Sequence, residues 1–199
     1  MSGFTVDTKA FDVLSDEKEA SGFIVHVGKI DLKIQAAENK EADKRTSTAL
    51  LVWLAKNANE IADLLKQNGS SYEGKIELNI FPLSGFENAV GNLFPYGGLT
   101  LEEFKAEVLK DGVKTMLGPE EIYLVVKDDL DAEYWKDNNG IEQIVFALTV
   151  YSLLTLLCNM DSKKASNISR DFSIARIPLK PKLPTHALAM ALIGTKKAK

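Results

Sequence analysis

The stretch PEEIYLVVKDDLDAEYWKDNNG, Pro119–Gly140, decides how the middle of this chain is read. A proline followed by two glutamates has the composition of a first helical turn. Proline has no amide hydrogen to lose there, and acids suit the positive end of the helix dipole. The reading is a helix that begins at Pro119 and is broken by Asn138, Asn139 and Gly140. Its second half, KDDLDAEYWKDNNG, carries acids as a calcium loop does. It lacks the glycine after the alternating carboxylates and the distal glutamate, so it reads as a solvated helix face.

Helices are expected on both sides of it. Thr100 and Glu103 have capping-box spacing, which predicts a helix from about Leu101 to Met116. Ile141 to Met160 is apolar on nearly every side and is expected to be the central helix, with Ile144, Leu148 and Tyr151 buried. Its apolar run, Ile144 to Cys158, is fifteen residues, short of the roughly 20 that a membrane span needs. TSTALLVWLAKNANEIADLLKQNG, Thr46–Gly69, is a fourth helix. Thr46 or Thr48 can cap it, Leu50, Leu54, Ala58, Ile61 and Leu65 share a face, and Gly69 suits its end. Extended structure is expected in two places. FIVHVGKIDLKI, Phe23–Ile34, alternates around Gly28 as a hairpin, and Ile76, Leu78 and Ile80 alternate as a half-buried strand. SGFENAVGNLFPYGG, Ser84–Gly98, reads as a turn-rich loop. The expected fold is mainly α: a helical core bundle over 22–161 with a small β-hairpin element, an N-terminal arm over 1–21, and a basic C-terminal arm over 162–199.

Hydrophobic residues make up 45% of the chain and charged residues 26%, which is ordinary for a globular protein. One cysteine, Cys158, rules out an internal disulfide and fits a reducing compartment. The acids among the first twenty residues do not fit a secretory signal. His26 and His186 lack the partners of a metal site or a catalytic triad, and Cys158 lies in the most apolar segment, where a thiol is inert. Trp53 sits in an apolar helix and reads as core rather than as a base-stacking platform. No constellation supports an enzyme, a metal or a cofactor.

Charge layout is more telling. From Ser162 onward nine lysines and arginines face one acid, Asp171, a net +8, whereas Met1–Asp161 carries 15 basic and 27 acidic residues. Such asymmetry suggests a polyanion partner or electrostatic self-association. RIPLKPKLPTHALAMALIGTKKAK, Arg176–Lys199, spaces basic residues with Pro178, Pro181 and Pro184 and then presents a wholly apolar tract, Ala187 to Ile193. Residues 171–185 as an extended tether span roughly 45 Å. The tract must dock, through Leu188, Met190, Leu192 and Ile193, either on its own body or in a neighbouring copy. Lys163, Lys164, Arg170, Arg176, Lys180 and Lys182 are the candidate phosphate contacts. A cellular adaptor whose tail docks a partner protein is the alternative.

Leu51–Leu78 followed by Leu99–Leu109 resembles the N-terminal lobe of tospovirus and orthobunyavirus nucleoproteins. The shared order is a helix, an aromatic–glycine–lysine hairpin and a Leu-Thr capped helix. The matching residues are Leu54, Asn57, Lys66, Gln67, Tyr72, Gly74, Lys75, Leu99, Thr100 and Phe104, over about a third of the chain. Coat proteins of flexible filamentous plant viruses are similar in architecture and closer in length. The resemblance implies a mostly helical protein that encapsidates single-stranded RNA without reading its sequence. It also implies head-to-tail self-assembly into a filament, found in the virion and the host cytoplasm. The chain departs from that pattern at Glu102 and Glu103, where the nucleoproteins tend to be basic, so this helix is not expected to touch RNA.

Overall fold

The computed structural model describes residues 23–38, 40–90, 98–129 and 139–176. It corrects the expectation of a helical bundle. The body is an α/β fold built on a five-stranded mixed sheet: β1 (Phe23–Val27), β2 (Ile30–Ala36), β3 (Gly74–Pro82), β4 (Val113–Gly118) and β5 (Glu121–Val126). Strand order is β1-β2-β3-β5-β4. The outer pairs are antiparallel, and β2, β3 and β5 run parallel. Among the described residues five helices accompany them: α1 (Glu41–Gln67), α2 (Leu83–Val90), α3 (Leu101–Asp111), α4 (Asn139–Cys158) and α5 (Ser162–Ile174).

The stretch that decided the reading is where the expectation failed. Gly118 is paired with Glu121, so Pro119 and Glu120 form a two-residue turn between strands. Glu120 has φ 55°, which with proline before it is a type II pattern. The Tyr72 hydroxyl lies 3.0 Å from Glu120 Oε1 and steadies that turn. IYLVV is β5, and it shows no alternation because both of its faces are covered. Ile122, Leu124 and Val126 enter the large core and Val125 the small one. A strand buried on both faces reads as a plain apolar run, which periodicity alone cannot tell from helix.

The large core lies on one face of the sheet. Leu32 and Ile34 of β2, Ile76, Leu78 and Ile80 of β3, and Ile122 and Leu124 of β5 form its floor. Leu50, Leu54 and Ile61 of α1 cover that floor, together with Val145, Leu148 and Leu154 of α4. The small core lies on the other face, where Leu83 and Phe86 of α2 and Phe104 and Val108 of α3 close over Met116 and Val125. The helices that follow β2 and β3 therefore pack on opposite faces of the sheet.

Several elements were legible in advance. Gly28, at φ 62°, is the first residue of the two-residue β1–β2 turn, the type II′ position that favours glycine. Ile144 and Leu148 are buried as expected, whereas Tyr151 is only half-buried. Trp53 belongs to the core, stacked on Phe146 with ring centroids 4.6 Å apart. The capping box of α3 is formed: Glu103 N donates to Thr100 Oγ1 at 3.2 Å and Thr100 N to Glu103 Oε2 at 2.8 Å. That helix ends at Gly112, φ 86°, well before Met116. Thr100→Ala is expected to cost about 1 kcal/mol in denaturant unfolding. The Thr100 backbone N–H, and then its hydroxyl, hold the Glu103 carboxyl below its ordinary range. The box's contribution is thus present above that range and is lost as pH falls through the lowered pKa.

Two further elements depart from expectation. Ser84–Val90, read as loop, belongs to α2, whose first turn is capped from far away: Ser84 N donates to the Asp128 carboxylate at 3.3 Å, and Ser84 Oγ donates to its Oδ1 at 2.6 Å. A Cβ on Gly85 would lie 2.4 Å from Cγ of the exposed Glu38 side chain, which would have to swing aside. Residues 162–174, placed in an arm, form α5. Asn159 at φ 48° ends α4, the Asp161 carboxylate accepts from Lys164 N at 3.0 Å, and Ala165, Ser169, Phe172 and Ser173 are buried. The expected N-terminal arm lies outside the described residues. No described helix is long and apolar enough to cross a membrane.

Candidate nucleic-acid interface

Four of the six candidate phosphate contacts fall on or just after α5, and the structure separates them into two kinds. Lys163 and Lys164 are the second and third residues of the helix and are exposed, with no acceptor for either ammonium group among the described residues. Positive charge at a helix N-terminus opposes the dipole, so folding alone does not favour two lysines there. Arg170 and Arg176 are half-buried and already engaged. Arg170 Nε donates to Asp171 Oδ1 at 3.0 Å.

Arg176 closes the end of α5. Its guanidinium lies 3.7 Å from the centre of the Phe172 ring, and one of its nitrogens donates to the Phe172 carbonyl at 3.2 Å. Its own carbonyl accepts from Trp53 Nε1 at 3.4 Å. Phe172 meets Trp53 edge-on, so this arginine ties the helix end to the core. It reads as a structural anchor rather than a phosphate ligand. Lys180 and Lys182, and the docking residues Leu188, Met190, Leu192 and Ile193, lie outside the described residues. Sequence reasoning missed the anchor because its partners, Trp53 and Phe172, are brought to it only by the fold.

Elsewhere the described residues offer little chemistry. A cleft of about 600 Å³ lies between the β1–β2 turn, the last turns of α1 and the Ser70–Glu73 loop. Its charges balance: Lys29 pairs with Glu73, and Lys66 and Asp63 also line it. His26 Nδ1 lies 2.7 Å from Asp31 Oδ1, exposed on the sheet. Burial pushes the Cys158 thiol up, which keeps it protonated and unreactive. Tyr123 is pushed up to about 12, by burial first and then by its hydrogen bond to Glu121. Among the described residues no group of histidine, cysteine or carboxylate side chains could hold a metal ion.

No protein-family model matches this chain, and neither the curated proteins nor the solved structures give a significant match.

Proposed function

We propose that this protein binds single-stranded RNA without sequence preference through its C-terminal basic tract and packages it by assembling with copies of itself. The observation that carries the reading is the nine basic residues set against one acid from Ser162 onward, beside an acidic remainder. Lys163 and Lys164 support it, because they stand exposed where helix electrostatics disfavour them. A nucleocapsid or coat protein, in the virion and the host cytoplasm, is the setting in which such a protein works. The mainly helical fold of the families it resembles is not the fold found here, so the proposal rests on charge.

Lys163, Lys164, Lys180 and Lys182 changed together to alanine are expected to weaken RNA binding equally for all sequences. The plot of log affinity against log salt should flatten by up to about 3 in slope, since each lost contact to a single strand removes about 0.7. Arg176→Ala should instead lower the melting temperature and leave that slope alone. An unchanged slope in the quadruple variant overturns the RNA reading, and capture of a protein partner by the tail would favour an adaptor.

A further inference from the structure

The cleft at the end of α1 is lined by polar groups that the fold leaves unused. Asn59, Asp63 and Lys66 are four and three residues apart, which sets them on one face of the helix, and all three are exposed along the cleft. Ser71 joins them from the loop before β3. None of these four side chains has a hydrogen-bond or ion-pair partner among the described residues, whereas Lys29 and Glu73, which also line the cleft, are paired with each other. Much of the remaining lining is apolar: Val27, Ile30 and Leu65 are buried, with the Tyr72 ring beside them. The β1–β2 turn lies directly on the helix, since a Cβ on Gly28 would come 3.2 Å from Ala62 Cβ. The cleft also adjoins the exposed lysines of α5. The Leu65 carbonyl accepts from Cys158 Sγ at 3.6 Å, and Lys163 follows Cys158 by five residues, at most about 18 Å of chain.

We propose that this cleft seats one nucleoside of the bound single strand, with its phosphates outside on Lys163 and Lys164, an assignment that rests on the RNA reading above. Lys29 and Lys66 cancel Asp63 and Glu73, so the cleft does not draw a phosphate inward and suits the uncharged part of a nucleotide. Its volume, about 600 Å³, is within the range that encloses small ligands. The base lies on the apolar wall beside Tyr72, a contact open to every base and therefore blind to sequence. The Asn59 carboxamide offers a donor and an acceptor to whichever base edge it meets. The Asp63 carboxylate accepts from the ribose 2′-hydroxyl, the group that separates RNA from DNA.

Two measurements on the full chain test this. Photo-crosslinking with a 4-thiouridine octamer should place adducts on Ser70–Glu73 or on α1 between Asn59 and Lys66. A uridine octamer should bind roughly tenfold more tightly than the matching deoxyuridine octamer, the worth of one hydrogen bond to a charged acceptor. Asp63→Ala, a change at an exposed position, should remove that preference and leave the salt slope unaltered, because no cation is lost. Adducts confined to other segments overturn the proposal, and so does a ribose preference that survives Asp63→Ala. Either result, obtained while the quadruple lysine variant still flattens the salt slope, removes the nucleoside seat and leaves the RNA reading standing. A chain that binds neither octamer overturns both.

Discussion

Leu148→Asp is expected to leave no cooperatively folded protein. Leu148 is 4% exposed in α4, within the large core, and an aspartate there would bring an unpaired charge among apolar side chains. The cost of about 5 kcal/mol rivals the whole stability of a domain this size, about 5–15 kcal/mol. Leu148→Ala should fold and lose about 3 kcal/mol, through lost contacts and a residual cavity. Circular dichroism melts of the two variants check this. A Leu148→Asp protein with a sharp native-like transition would show that α4 is not the central helix of the large core.

Phe86→Ala should cost about 3–4 kcal/mol, the usual range for a fully buried phenylalanine. Phe86 is completely buried, stacked on Phe104 at 5.2 Å and edge-on to Phe81 at 6.0 Å. It is the centre of the small core, so its loss should loosen α2 and α3 from the sheet. Urea unfolding measures the cost, with an unchanged slope if the two cores melt together. A change below about 1 kcal/mol would return Ser84–Val90 to the loop that its glycine suggested.

The interface was legible only in part. The excess of basic residues past Ser162 could be counted from the chain, but the count treated Arg170 and Arg176 as equal to Lys163 and Lys164. Charge is a property of composition, and availability is a property of packing. Arg176 is engaged because Trp53, 123 residues earlier, donates to its carbonyl, and no local pattern records that contact.

Local chemistry was sufficient wherever one short segment carried both the signal and its cause. The Gly28 turn, the Thr100–Glu103 box and the alternation of Ile76, Leu78 and Ile80 belong to this kind. The tertiary structure decided the rest. Pro119–Val126 is a turn and a strand because β3 lies on one side of β5 and β4 on the other, with cores on both faces. Ser84–Val90 is helical with Asp128 at its first turn and Glu38 against Gly85. Ser162–Ile174 is helical with Phe172 set edge-on against Trp53 of α1 and with Ala165 and Ile168 packed on the large core, a short apolar face set among lysines and serines. In each case the stabilising partner is remote in sequence, so the segment alone left helix, strand and loop too close in free energy to separate.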